Sequence, residues 1–198
     1  MSGAQVWELG VIHGRFQVLH NDHVRYLLAG RARCRHLVVG ITNPDPTVVR
    51  AHGADPGRHT PEANPLTYWE RYRLVRAALG EQGVPPDAFS IVPFPVNVPE
   101  LYRHYVPLDA VFFLTIYDEW GRHKLETFRG LGLRTHVLWD VPPEQKGLSA
   151  ADIREAMARG EAWEDRVPAS VAGLLKAWGV PARLRALYGG APEASGPG

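Results

Sequence analysis

Cysteine is almost absent from this chain of 198 residues: Cys34 stands alone, which excludes an intrachain disulfide and a cysteine-built zinc cluster. In the setting Arg31-Ala32-Arg33-Cys34-Arg35 a surface or half-buried thiol is expected rather than a nucleophile. Lysine is scarce too, since all but Lys124, Lys146 and Lys176 of the 22 basic residues are arginine. An excess of charge of one sign is missing as well. The formal net charge is +1, so no bulk field draws the chain to nucleic acid or to an acidic membrane surface. No apolar run approaches the roughly 20 residues needed to span a bilayer. The stretch Met1–Trp7 has no basic segment leading into an apolar core, so it does not read as a signal peptide. A soluble, cytoplasmic protein is the expectation, with neither membrane nor nucleic acid as a partner.

What is present is ordinary globular composition, 45% hydrophobic and 22% charged, in a length that suits one domain. Val6 to Ile12 is β-prone and apolar, with His13-Gly14-Arg15 as its break. Val24, Leu27, Leu28 and Ala32 recur at helical spacing between Asn21 and Arg33. His36 to Ile41 is a short continuous apolar run, the mark of a strand buried on both faces. Residues 43–64 hold many Pro, Gly, Asp and Arg without a period and predict a long loop, of the kind that is functional or mobile in compact domains. Thr67 opens a helix to about Leu79. Strands follow at Phe89–Phe94 and Ala110–Ile116, an amphipathic helix at 118–131, and a strand at Arg134–Trp139. Ser149 opens another helix with Asp152 three residues on, a capping-box pattern. The last helix runs from Pro168 to Trp178.

Strands alternating with helices predict βαβ units. The expected fold is α/β, a Rossmann-like parallel sheet with helices on both faces, as one domain over residues 1–185 with a flexible tail over 186–198. Ligands bind such sheets at the carboxyl ends of the strands near the switch point. The segments Gly14–His23 and Thr115–Asp118 should therefore face one crevice.

The first of these segments carries chemistry. Gly14 permits a sharp turn and a close backbone approach, and the following helix aims its amides at the same spot, which makes an anion site. Arg15 adds a planar fork, and His20 and His23 both face that anion from the helix start. The pair also has metal-ligand spacing, but no third Cys or acidic residue sits at matching distance in the sequence. Gly14-Arg15-Phe16-Gln17-Val18-Leu19-His20-Asn21-Asp22-His23 resembles the Gly-Arg-Phe-Gln-Pro-x-His-x-Gly-His signature of the HxGH nucleotidyltransferase superfamily. The Arg-Phe-Gln form is similar to the archaeal-type nicotinamide mononucleotide (NMN) adenylyltransferases. Val18 stands where the family has Pro. Asp22 stands where it has Gly, either capping the helix or meeting a metal ion or a different acceptor.

Over a hundred residues later, Lys146-Gly147-Leu148-Ser149-Ala150-Ala151-Asp152-Ile153-Arg154 resembles the family's Ile-Ser-Gly-Thr-x-Ile-Arg. The resemblance continues through Gly160-Glu161-Ala162-Trp163 and Val167-Pro168. Ala150 and Ala151 replace Gly and Thr, removing a hydroxyl for which Lys146 is a candidate substitute. Between the two motifs, Asn64-Pro65-Leu66-Thr67-Tyr68-Trp69-Glu70-Arg71 resembles the family's Asn-Pro-Phe-Thr-x-x-Glu-Arg, and Thr67 with Glu70 forms a capping box. In the family a basic residue just before this point approaches the triphosphate; Arg58 and His59 are the candidates. The likeness spans roughly residues 8 to 180.

The resemblance implies transfer of a nucleoside monophosphate from an NTP to a small phosphorylated acceptor, with release of pyrophosphate and with Mg²⁺ bridging phosphates. His20, His23 and Arg154 are the implied catalytic residues. Gly14, Arg15, Phe16, Gln17, Lys146 and Ser149 are the implied nucleotide-binding residues. Acceptor contacts fall on Asn97, Tyr102, Tyr117, Trp120 and Arg71. The default acceptor is NMN, using ATP. The family's Trp that stacks on nicotinamide is missing from Val96–Tyr105, with Tyr102 as a substitute stacking ring. That loss suits the alternative, a CTP-dependent cytidylyltransferase acting on a small phosphate or phosphonate. A non-catalytic nucleotide sensor is the third reading, since Asp22, Ala150 and Ala151 all erode the phosphate site. A homo-oligomer is a further expectation from the family.

Overall fold

The computed structural model describes residues 6–44, 60–145 and 147–189. Its centre is a five-stranded sheet in the order β3-β2-β1-β4-β5. The strands are β1 (Trp7–Gly14), β2 (Cys34–Thr42), β3 (Phe89–Phe94), β4 (Val111–Ile116) and β5 (Arg134–Asp140). Every neighbouring pair is parallel. The helices are α1 (Asn21–Arg31), α2 (Tyr68–Glu81), α3 (Glu119–Gly130), α4 (Ala150–Arg159), α5 (Ala169–Ala177) and α6 (Val180–Tyr188). This is the α/β, Rossmann-like architecture expected. No helix among the described residues is long and apolar enough to cross a membrane.

The apolar pattern explains the layers. From β1 the chain winds outward through α1 to β2 and through α2 to β3, whereas β4 winds the other way through α3 to β5. Right-handed crossovers then put α1 and α2 on one face and α3 on the other. Ile12, Leu27, Leu74 and Phe113 are all fully buried in the first layer, which also receives α4, α5 and α6. Val11, Phe94, Phe112 and Phe128 anchor the second. Strand alternation divides the side chains: on β4, Phe112 faces one layer and Phe113 the other. The direction of winding reverses between β1 and β4, so a crevice opens at their carboxyl ends.

Three local readings need correction. β1 does not break at His13 but continues to Gly14, with His13 opposite Gly40 and Gly14 opposite Ile41. Cys34 is neither surface nor half-buried but 1% exposed, in the layer under β1, and its Sγ lies 3.4 Å from the Gly30 carbonyl. Burial pushes that thiol up to about 11, so it is inert as a nucleophile. Chain expected to be tail from residue 186 belongs to α6 as far as Tyr188. Gly179, in the left-handed conformation, lets the chain turn from α5 into that helix. Val180 and Leu184 are fully buried, and Arg183 clamps Glu70 of α2 through two contacts of 2.9 and 2.8 Å.

α6 is thus a structural member of the fold. Leu184→Ala should cost about 2–5 kcal/mol, the usual range for truncating a fully buried Leu. Urea unfolding measures this, and a loss below about 0.5 kcal/mol, typical of surface positions, would mean that α6 is not packed.

Candidate active site

The segment between β1 and α1 is the heart of the site. Phe16 takes a positive φ of 52° and is fully buried, its ring turned back under Gly14, where any Cβ would meet it at 2.8 Å. Gln17 is 3% exposed and pairs with Leu66 as one strand pairs with another. Its side-chain NH₂ donates to the Leu66 carbonyl at 2.9 Å, and its side-chain oxygen accepts from the Leu66 backbone amide at 3.0 Å. The chain then delivers His20 as the N-cap of α1.

His20 and His23 stack with centroids 3.7 Å apart and an interplanar angle of 25°. The His20 amide donates to His23 Nδ1 at 3.3 Å. An Nδ1 that accepts carries no proton, so neutral His23 holds its hydrogen on Nε2. His20 is 5% exposed, and its Nδ1 has no hydrogen-bond partner among the described residues. Burial lowers its pKa to about 4, against an opposing pull from Asp22. Burial lowers that of His23 as well, reinforced by His20 and Arg15. Both imidazoles are therefore neutral near pH 7, able to donate N–H to an anion without bringing a counter-charge of their own.

The second motif arrives at the same place. Ser149 caps α4 by accepting from the Ala151 amide at 3.2 Å, one residue short of the capping-box partner expected at Asp152. Arg154 is 5% exposed and donates to the Gln17 carbonyl, so it braces the first motif from below. Asp22 does not cap α1, a position held by His20. Its Oδ2 accepts from the Leu148 amide at 2.7 Å and so joins the starts of α1 and α4. Gly147, at φ 74°, packs against that carboxylate where a Cβ would collide with it. Lys146, Arg58 and His59 lie outside the described residues, as does 45–59 of the long loop.

The acceptor candidates divide. Arg71 is 2% exposed and its guanidinium is spent on backbone, donating to the carbonyls of Thr67, Arg15, Thr42 and Asn43 at 3.3, 3.1, 2.7 and 2.8 Å. It holds the loop through these contacts. Tyr102 is 2% exposed, packed on Phe94 and Phe128, with its hydroxyl 2.5 Å from the Val96 carbonyl; no ring face is open for stacking. Asn97 lies half-buried in the turn after β3, and Trp120 is half-buried in the first turn of α3, 6.1 Å from the His123 ring. Tyr117 follows β4 and accepts a hydrogen bond from Trp139 Nε1 at 2.5 Å.

Trp139 escaped the sequence reading. It ends β5 beside Tyr117, 6.2 Å from Tyr26 and under the Arg25 guanidinium at 5.3 Å. The signal that could have found it was its position at the carboxyl end of a strand in a doubly wound sheet. A register shift after Leu114, which sets Trp139 opposite Thr115, was not legible.

No protein-family model matches the sequence. Over 186 residues the chain is 50% identical to the phosphonoformate cytidylyltransferase of Streptomyces viridochromogenes, covering 94% of this chain and 100% of that protein. It belongs to the nucleotidyltransferase superfamily. A nicotinamide-nucleotide adenylyltransferase of Thermococcus onnurineus is 31% identical over 170 residues, covering 84% of this chain and 81% of that one. The fold matches the crystal structure of a bifunctional NMN adenylyltransferase/ADP ribose pyrophosphatase from Francisella tularensis, with a TM-score of 0.61 at 13% identity. That likeness covers 93% of this chain and 53% of the larger protein. The protein is accordingly an enzyme, a nucleotidyltransferase.

The Asp22 link between the two motifs has a measurable consequence. Asp22→Ala should destabilise the protein by about 1–3 kcal/mol, because it leaves the Leu148 amide without its charged acceptor. Asp22→Asn, which keeps an acceptor oxygen, should recover most of that loss. Equal unfolding midpoints for wild type and Asp22→Ala would show that the link carries no stability.

Proposed function

We propose that this nucleotidyltransferase moves CMP from CTP to a small phosphonate-bearing acceptor of the phosphonoformate kind, releasing pyrophosphate. The observation that carries this reading is 50% identity to a phosphonoformate cytidylyltransferase over that protein's whole length. The burial of Tyr102 supports it, since no ring in that position is open to stack on a nicotinamide. Adenylyl transfer to NMN, the first expectation from the motifs, becomes the second reading. It rests on the 31% identity to an archaeal adenylyltransferase.

The chemistry needs no protein nucleophile. A phosphonate oxygen of the acceptor attacks the α-phosphorus in line, and the bond from that phosphorus to the oxygen bridging the β-phosphate breaks. Pyrophosphate leaves with the electron pair. His23, with its proton on Nε2, and His20 donate N–H to the α-phosphate and the departing group as charge builds there. Arg15 supplies fixed positive charge beside them. The amides at the starts of α1 and α4 add the positive ends of two helix dipoles. Gln17, Arg71 and Arg154 act as positioning residues, holding the loop on which this geometry depends. No group of three or more His, Cys, Asp or Glu among the described residues is arranged to hold a metal ion. Mg²⁺ enters mainly on the phosphates of the NTP, as it does on nucleotides generally, with the Asp22 carboxylate as a candidate protein ligand.

The deciding experiment is a matrix of CTP and ATP against phosphonoformate, other small phosphonates, NMN and nicotinate mononucleotide. Pyrophosphate release is followed and the product weighed by mass spectrometry. Fastest turnover is expected for CTP with a small phosphonate; fastest turnover for ATP with NMN would reverse the order of the two readings. No turnover with any pair would favour a nucleotide sensor. His23→Ala should lower kcat by about 10²–10³ with an unchanged melting curve, the effect of removing one preorganised donor. Folded His23→Ala protein with normal kcat would remove His23 from the mechanism.

A further inference from the structure

His13 has no part in the machinery described so far. It sits one residue before Gly14, is 6% exposed, and neither ring nitrogen has a hydrogen-bond partner among the described residues. A core position of this kind is normally filled by an apolar ring, because a dry imidazole gives up its water contacts without replacement. Its surroundings are shaped around it. The rings of Phe94 and Phe128 flank it with centroids 5.5 Å away on either count. Gly40 of β2 contributes no side chain, and a Cβ there would come within 2.8 Å of Phe94 Cβ and 3.4 Å of His13 Cβ. Lys124, half-buried one helical turn before Phe128 on α3, is near enough for its charge to act on the imidazole. With burial as the larger cause, that charge keeps His13 neutral.

The location is specific. Alternation along β1 turns His13 to the α3 face of the sheet, where the turn holding Asn97 and the start of α3 holding Trp120 also lie. His13 and His20 bracket the same loop, one at its entry and the other at its exit. An anion at His13 and an NTP phosphate at His20 would thus lie on the two sides of one crevice edge. We propose that His13, together with Lys124, forms the subsite for the acceptor's second anionic group, taking the carboxylate of a phosphonate-bearing carboxylic acid. The phosphonate is then left to face the α-phosphate. A neutral imidazole donates one N–H to such a carboxylate and Lys124 supplies the charge, a pairing that NMN would not call for. The inference rests on the acceptor class proposed above.

The test uses the full chain. His13→Phe refills the aromatic box, and a melting curve establishes that it folds. With CTP, KM for phosphonoformate should rise roughly 10- to 100-fold, the effect of losing a hydrogen bond to a charged group. KM for CTP should stay unchanged, and Lys124→Met should shift the acceptor KM in the same direction. Ring-¹⁵N NMR of histidine-labelled wild type should show His13 responding to phosphonoformate and not to CTP alone. Folded His13→Phe with a normal acceptor KM, or a loss shared equally by CTP and acceptor, overturns the subsite. If His13→Phe does not fold, Lys124→Met and the ring spectrum decide on the same criteria. A wild type that turns over no phosphonate defeats the acceptor class; the spectrum then judges the subsite separately, and an unresponsive His13 overturns it.

Discussion

Buried peptide carbonyls must find donors, and the loop from Gly14 to His20 has several with no strand or helix to supply them. Two arginines meet that demand, and one glutamine ties the loop to the segment before α2. Arg71 gathers the carbonyls of Arg15, Thr42 and Asn43 together with its own helix cap, Arg154 takes that of Gln17, and Gln17 pairs with Leu66. Burial, and then the charge of Arg15, draws Arg71 down to about 10. Arginine suits this work better than lysine because its rigid fork of five donors can bind several oxygens at once. Part of the chain's arginine content thus serves its own backbone.

That frame explains why motifs far apart in sequence travel together. The segment that resembles a nucleotide-binding signature, the Asn64–Arg71 segment and the Ser149–Arg154 segment are three pieces of one hydrogen-bonded object. Electrostatically the object is a socket that holds two neutral imidazoles with the Arg15 charge beside them. His20 adds to the burial that lowers the pKa of His23, two helix starts point inward, and the Asp22 carboxylate is tied to a backbone amide.

The sheet order's raw material was legible because buried parallel strands read as apolar runs and each helix carried a cap or a stop; Thr67 with Glu70 behaved as its spacing implies. α6 was not legible. Val180, Leu184 and Arg183 are spaced correctly, but the segment is short, and the partner that holds the helix, Glu70, is more than a hundred residues away. At the site, residue types pointed to phosphate while their division of labour stayed hidden. An arginine facing a ligand and an arginine facing carbonyls have the same letter. Only burial and hydrogen-bond partners show that Arg71 and Arg154 turn to carbonyls, or place Asp22 on Leu148 rather than on the cap. His13 was passed over because an isolated histidine inside an apolar run has no spacing to flag it.

The contacts that close the socket join residues very far apart along the chain: 126 positions separate Asp22 from Leu148, and 137 separate Gln17 from Arg154. Such closures come late in folding, after local turns and neighbouring strands are in place. A nascent chain, or one whose last three helices have locally opened, can keep its sheet and still lack the α4 side of the socket. Activity that depends on these closures should therefore be lost before the sheet when the protein is warmed or proteolysed from its C-terminal end.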